Sequence, residues 1–427
     1  MLKRFVQATL VVSLLAGSPA QAIAGDTPPA TPGSEQPTEQ EQPQDKPGWR
    51  ETLKRPQLRA GDSVVDISAN WVQNFHYYSD APTPRLDEHE PFSLTRGFGM
   101  QLQALEIAFQ AELDHHFRAD LFLAFDRDGV EIEEGFLTAR EIPGGFSARA
   151  GQFYTAFGQF NTVHFLEASP FVDMPLVNRR FFGGEQLRGL GAELSWELPL
   201  PWHVELTGSI QTADNDVSFG VPAESTESLR HFLTNLHLRQ DWDISESLYL
   251  RLGGSFAQGP NDSAGPAFWS RNRTYLWGGD IQLRWHDRDH HRYAAFQAEY
   301  IHREAELPGG RLAEGGIYTA VEVCPDEHWQ LAARFDYVGL PSTLRGPNPP
   351  LIANPELTGF HTGLEQWRIG SSVSYHFSEF VRLRMQYNYD KLALAGGVHE
   401  LFGQLQFTIG QHGRTHEGHH GRHGHHD

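Results

Sequence analysis

From residue 62 onward, apolar and polar residues alternate with a period of two along most of the chain. Side chains of a β-strand point alternately to its two faces, so this pattern predicts strands with one apolar and one polar face. The last segment, 397–410, shows the pattern most clearly. The outward, apolar face is predicted to consist of Leu401, Gly403, Leu405, Phe407 and Ile409. The inward face is predicted to consist of Phe402, Gln404, Gln406 and Thr408.

The alternation predicts sixteen strands, at 62–78, 102–114, 118–127, 131–140, 146–154, 187–198, 202–212, 230–242, 246–257, 272–286, 291–304, 313–324, 328–338, 364–377, 379–391 and 397–410. Short connections alternate with longer ones, and aromatic residues gather near strand ends. A soluble β-sandwich also alternates. An even number of strands with short turns at one end, long loops at the other and aromatic girdles is instead typical of an outer-membrane barrel. The expected fold class is therefore all-β, a transmembrane antiparallel β-barrel.

The ends of the chain differ from the alternating region. The basic start Met1-Leu2-Lys3-Arg4, an apolar run and the small residues Ala20-Gln21-Ala22 predict a bacterial signal peptide, 1–22, cleaved on export to the outer membrane. The apolar run is shorter than the roughly 20 residues of a spanning helix. Residues 23–50 are rich in proline and polar residues and predict a flexible periplasmic linker. The barrel is expected over 51–410 and a polar tail over 411–427.

The connection 155–186 is the longest between predicted strands, and it is rich in Phe, Leu, Val and Met. It is the third loop at the long-loop end. Long loops without structure of their own usually carry function. An apolar loop must also be buried, and a sixteen-stranded barrel has a lumen wide enough to receive it. We therefore predict that this third external loop folds inward and narrows the channel.

The strands around this loop resemble those of a known family. Arg149-Ala150-Gly151-Gln152-Phe153, then Phe157-Gly158, Pro175-Leu176-Val177 and Gly189-Leu190-Gly191-Ala192-Glu193 are similar to the phosphate-selective porin O/P-like group. The match covers about fifty residues well and the rest only by strand rhythm. The resemblance implies a sixteen-stranded homotrimeric channel in outer-membrane lipid with an inward third loop.

The charge of the chain departs from that family, whose phosphate-selective members carry ladders of Arg and Lys. Here 54 Asp and Glu outnumber 34 Lys and Arg. The residues expected to face inward are mixed: Arg149, Arg251, Arg284, Arg334, Arg368, Arg382 and Arg384, against Asp66, Glu106, Glu112, Asp280, Glu299, Glu322 and Asp336. Opposed rows of charge create a field across the channel that orients water and selects among polar solutes, and they do not indicate specificity for phosphate. An acidic balance also argues against nucleic acid as a partner.

Within the third loop, Arg179 and Arg180 have two interpretations. They could form a cationic constriction that attracts anions, or one of them could pair with Asp173 or Glu185 to hold the loop in place. The candidate channel residues are Arg149, Asp173, Arg179, Arg180, Glu185, Arg251, Arg382 and Arg384.

Histidine is concentrated at the end of the chain, where seven of the last sixteen residues are candidate metal ligands: His412, His416, His419, His420, His423, His425 and His426. Neutral imidazoles on a flexible chain bind Zn, Ni or Cu. An inert polar tail is the alternative, as is an expression tag, although the irregular spacing argues against a tag. No other cofactor is required.

The sequence thus favours a porin for passive diffusion of small hydrophilic solutes or ions. One alternative is an outer-membrane protein for uptake or scavenging of Zn, Ni or Cu through its tail, and another is a barrel that serves only as an anchor. No motif of a hydrolase or a phosphate-binding loop appears in a supporting context, so no enzyme is predicted. Cys324 is the only cysteine, which excludes an intramolecular disulfide.

Overall fold

The structure is a computed structural model that describes residues 53, 56–60, 63–79, 97–125, 129–213, 215, 217–219, 231–261, 263, 272–287, 292–308, 310–345, 365–391 and 397–410. All of them lie within one compact unit, Pro47–Asp427. The predicted signal peptide 1–22, the linker 23–50 and the histidine tail 411–427 lie outside the described residues. Among those described, no helix is both long and apolar enough to cross a membrane.

Seventeen antiparallel strands form one sheet in the described part of the chain. They are β1 (Gln57–Ala60), β2 (Ser63–Tyr78), β3 (Gly97–Glu112), β4 (Phe117–Phe125), β5 (Val130–Ile142), β6 (Phe146–Tyr154), β7 (Arg188–Glu197), β8 (His203–Thr212), β9 (Phe232–Ser245), β10 (Leu248–Asn261), β11 (Asn272–His286), β12 (Tyr293–Leu307), β13 (Gly310–Cys324), β14 (Trp329–Arg345), β15 (Gln366–Ser378), β16 (Val381–Lys391) and β17 (Gly397–Ile409). From β2 to β17 each strand pairs with the next, and β17 pairs with β2. The predicted sixteen-stranded barrel is confirmed.

The two faces of the barrel are sorted as the alternation predicts. On β17, Leu401 is 49% exposed on the outer face, whereas its neighbours Glu400 and Phe402 are 1% and 4% exposed and face inward. Many exposed aromatic residues lie on the outside near strand ends. Phe117, Trp202, Trp285, Trp329, Phe377 and Phe407 lie near the short turns, and Phe75, Phe98 and Trp277 lie toward the longer connections. Trp71 and Tyr300 lie near the middle of their strands.

The short strand β1 was not predicted, and it completes the seam of the barrel. β17 ends opposite Ala69 of β2. β1 pairs with the next part of β2, from Gln57 opposite Asp66 to Ala60 opposite Ser63. It therefore occupies the position into which β17 would continue. Gly410 turns the chain away with φ 76°, and its amide donates to the carbonyl of Leu53 at 2.9 Å. β1 has only four residues, too few to show the alternation from which the other strands were predicted.

Several strands extend beyond their predicted ends, β3 and β14 the furthest. β3 begins at Gly97 rather than 102, because 97–101 pair with β2. β14 continues to Arg345 rather than 338, because its last residues pair with the start of β13. The length of a strand at these ends depends on pairing with the neighbouring strand, and the alternation within one segment carries no information about that pairing.

Candidate functional site

The connection between β6 and β7, residues 155–187, crosses the interior of the barrel, and we call it the lumen loop. It contains two short helices that were not predicted, α1 (Phe165–Ala168) and α2 (Leu176–Phe182). Its contacts reach inward-facing side chains around the whole wall. The Gly158, Phe160 and Leu176 amides donate hydrogen bonds to Ser255 of β10, Glu299 of β12 and Asp336 of β14, in that order. His164 is hydrogen-bonded to Glu134 of β5, and the Val172 carbonyl accepts a hydrogen bond from Gln103 of β3.

Most of the apolar residues of the loop pack against one side of the wall, whereas Leu166 and Val172 pack against β2, β3 and β17. The loop residues packed on that one side are Phe157, Phe160, Phe171, Met174, Leu176, Val177, Phe181, Phe182 and Leu187. On the wall, the inward positions of β9 to β14 supply Leu233, Ala257, Leu276, Ile301, Tyr318, Ala320, Ala332 and Val338. This cluster explains the apolar composition of the loop, because burying such side chains stabilises the docked loop.

Asp173 is the ionic centre of the docked loop. Its Oδ1 accepts from Arg334 Nη2 of β14 at 2.9 Å, and its Oδ2 forms an ion pair with Arg368 of β15. Gln386 and Asn388 of β16 donate to the same carboxylate. Burial alone would raise the pKa of Asp173, but the charges of Arg334 and Arg368 hold it below its usual value. The carboxylate therefore stays charged and joins three strands to the loop.

Arg382 and Arg384 of β16 hold the loop through its backbone. Arg384 donates from Nη1 to the Phe171 carbonyl at 3.0 Å and from Nη2 to the Ser169 carbonyl at 2.7 Å. Arg382 donates to the Leu166 carbonyl at 2.9 Å. Arg384 is fully buried. Alternation along β16 places both side chains on the inner face, as predicted, and there they position the loop.

The two arginines of α2 are both buried, at 5% exposure for Arg179 and 8% for Arg180. Arg180 Nη2 lies 3.2 Å from Glu314 Oε2 of β13, and Arg303 of β12 forms an ion pair with the same carboxylate. The partner of Arg180 is thus Glu314, and the alternatives Asp173 and Glu185 are occupied by other arginines. Glu185 is exposed and lies 2.9 Å from Arg188.

The other predicted channel residues also lie in ion pairs. Arg149 Nε is 2.7 Å from Glu193 Oε1, and its guanidinium stacks on Phe153, 4.2 Å from the ring centroid. Arg251 Nε is 2.9 Å from Asp241, near the short-turn end of β10. The structure therefore brings Asp173, Arg179, Arg180, Arg382 and Arg384 together at the docked loop. Arg251 lies apart from the loop, and Glu185, although part of it, is exposed.

His164, which the sequence did not single out, holds the first part of the loop. It is buried, stacks on Phe122 of β4 and lies 3.0 Å from Glu134 Oε2. Burial disfavours the charged ring, but the hydrogen bond to Glu134 and the charges of Glu133 and Glu134 raise the pKa of His164 to about 10. A single histidine in an apolar loop gives no signal in the sequence, since its acidic partners are 30 residues away.

The seven tail histidines lie outside the described residues. Within the described part of the chain, no group of three or more His, Cys, Asp or Glu side chains is arranged to hold a metal ion. In the turn between β3 and β4, Asp114 accepts from the amides of His116 and Phe117 at 2.7 and 2.8 Å. Asp114 therefore stabilises the turn.

No protein-family model matches the chain. An uncharacterized protein of Aquifex aeolicus (strain VF5) is 28% identical over 352 residues, which cover 76% of this chain and 71% of that protein. Among solved structures, the outer membrane channel DcaP of Acinetobacter baumannii has a TM-score of 0.54 at 10% identity and covers 82% of this chain and 99% of its own.

Two further solved structures resemble the chain. The anion-selective porin from Comamonas acidovorans has a TM-score of 0.52 at 9% identity, covering 81% of this chain and 100% of its own. The trimer form of OmpT, an outer membrane protein of Vibrio cholerae, has a TM-score of 0.53 at 10% identity, covering 81% and 99%. The chain thus shares the barrel fold of these proteins. The narrower resemblance to the phosphate-selective group stays a prediction.

Proposed function

We propose that the chain is an outer-membrane porin through which small hydrophilic solutes or ions diffuse passively. The observation that carries this proposal is the sorting of the barrel faces. Outside, Leu383 and Met385 are 40% and 65% exposed, whereas Arg384, between them, is fully buried on the inner face. Such an exterior is unfavourable in water and suits lipid, and a polar interior suits an aqueous path. The predicted signal peptide supports export.

The lumen loop sets the width of this path. It is held on all sides of the wall, so a solute must pass between loop and wall. Among the described residues near the loop, Arg334 and Arg368 are bonded to carboxylates and Arg384 to carbonyls. Arginines engaged in this way do not form the open cationic ladder of the phosphate-selective group. We therefore propose general diffusion rather than phosphate-specific transport.

A homotrimer in outer-membrane lipid is the assembly we propose. The trimer form of OmpT supports it at the level of the fold. No catalytic step is part of this function.

The test is conductance of the purified, folded protein in planar lipid bilayers. Heat-modifiable migration on gels first establishes that the barrel is folded. We expect discrete conductance steps with weak ion selectivity. A folded barrel that never conducts would show that the protein serves as an anchor instead.

Capture of Zn, Ni or Cu is the second candidate function, and the seven histidines between residues 412 and 426 support it. Gly410, the last described residue, lies at the short-turn end of the barrel. Equilibrium binding of Zn²⁺ to the full chain, together with conductance measured with and without Zn²⁺, tests whether metal and channel are coupled.

A further inference from the structure

Two buried carboxylates lie side by side on the wall behind the start of the lumen loop. Asp280 of β11 and Glu299 of β12 are directly opposed in the sheet and are 7% and 1% exposed. Arg239 and Arg251, on the adjoining strands, are bonded to Asp241 instead. Among the described residues, no donor is within hydrogen-bond distance of Asp280 Oδ2.

Neutral oxygens adjoin this pair. Tyr318 of β13 is directly opposite Glu299 in the sheet, and opposed side chains lie about 5 Å apart. From the loop, Asn178 donates a hydrogen bond from its amide nitrogen to Glu299 Oε1 at 3.2 Å. Tyr318 and Asn178 are each 1% exposed. Neither Tyr318 Oη nor Asn178 Oδ1 has a hydrogen-bond partner among the described residues.

Glycine backbone lies against both carboxylates. A methyl group at Gly158 of the loop would lie 2.2 Å from Glu299 Oε1, and one at Gly253 of β10 would lie 2.1 Å from Asp280 Oδ2. Gly158 also has φ +61°, which favours glycine. The Phe160 amide donates to Glu299 Oε2 at 3.2 Å. The loop backbone therefore lies against Glu299, and the backbone of β10 lies against Asp280.

Two carboxylates buried without a basic partner carry a large desolvation penalty unless a cation or a proton neutralises them. Two negative charges together with neutral amide and hydroxyl oxygens suit a hard divalent cation. Ca²⁺ accepts irregular sets of oxygen ligands, whereas Mg²⁺ demands near-ideal octahedral geometry. We propose that Asp280, Glu299, Asn178 and Tyr318 form a Ca²⁺ site that fastens the lumen loop to β11–β13. The site is independent of which solute the channel passes.

The experiment uses the full chain, folded in detergent and freed of metal with EDTA, with Ca²⁺ alone as the probe. Binding is measured by equilibrium dialysis, and loop docking by limited proteolysis. The isosteric variants Asp280→Asn and Glu299→Gln remove one charge each, and Tyr318→Phe removes a neutral oxygen. Glu185→Gln, an exposed acid of the same loop, is the matched control.

We expect the unmodified chain to bind about one more equivalent of Ca²⁺ than either charge variant. Ca²⁺ should raise the Tm and slow cleavage of the loop in the unmodified chain and in Glu185→Gln, but not in Asp280→Asn or Glu299→Gln. Tyr318→Phe should weaken Ca²⁺ affinity without abolishing it. Equal Ca²⁺ binding and equal Tm shifts in all variants would overturn the proposal.

Infrared spectroscopy provides a second readout that does not depend on the variants folding. Ca²⁺ should shift the carboxylate stretching bands of the unmodified chain. A protonated-carboxyl band at pH 7 that Ca²⁺ leaves unchanged would show that the pair shares a proton, and it would overturn the proposal.

Discussion

Replacing Asp173 with Asn should release the lumen loop while leaving the barrel folded. The substitution keeps the size of the side chain but removes the charge that joins Arg334 and Arg368 to the loop. The two arginines keep carboxylate partners on the wall, because Arg334 Nε lies 2.7 Å from Asp336 and Arg368 Nη2 lies 2.7 Å from Asp390. The substitution should therefore weaken docking of the loop rather than destabilise the strands.

The magnitude follows from the burial of this ion pair. The side chain of Asp173 is 4% exposed and that of each arginine 1%. Removing one partner of a buried pair costs roughly 3–5 kcal/mol. The wall carboxylates remain as partners for the arginines, so we take the lower value, about 3 kcal/mol. It shifts the equilibrium between docked and undocked loop on the order of 100-fold.

Two measurements check this prediction. In planar bilayers, Asp173→Asn should give larger or more variable conductance steps than the unmodified chain. In limited proteolysis of the folded protein, cleavage within residues 155–187 should become faster by a similar factor. The control, Glu185→Gln, should change neither. The same conductance and the same cleavage rate in Asp173→Asn would refute the assignment of Asp173 as the ionic centre of docking.

Three further predictions concern the loop and the tail. The pKa of His164 is raised to about 10, so its pairing with Glu134 stabilises the docked loop fully below the unperturbed pKa of about 6.5. This stabilisation is lost as the pH rises through 10. Proteolytic cleavage of the loop should therefore accelerate over that pH range, and His164→Gln should remove this pH dependence. Arg180→Gln should loosen α2 in proteolysis with little change in reversal potential, since Arg303 still neutralises Glu314; a large change would assign Arg180 to the ion path. Deleting residues 411–427 should remove most bound Zn²⁺ at neutral pH and leave folding and conductance intact, whereas retained metal would place the ligands elsewhere.

The sequence by itself determined the sixteen barrel strands, though not β1 or the exact strand ends, because period-two alternation is a local property that each segment carries independently. On β16, for example, Arg382, Arg384, Gln386, Asn388 and Asp390 all face inward as the alternation predicts. The apolar composition of residues 155–186 likewise indicated a buried loop. Neither inference needed to know which strand lies next to which.

Only the tertiary structure decided what the inward charges do. Asp173 meets Arg334 and Arg368, which are 161 and 195 residues away in sequence. Arg180 meets Glu314, 134 residues away. Alternation gives the face on which a side chain lies but not its height along the barrel or its partner across the lumen. Those depend on the register of sixteen strands and on the path of the loop. For the same reason, arginines that the sequence offered as channel lining anchor the loop instead.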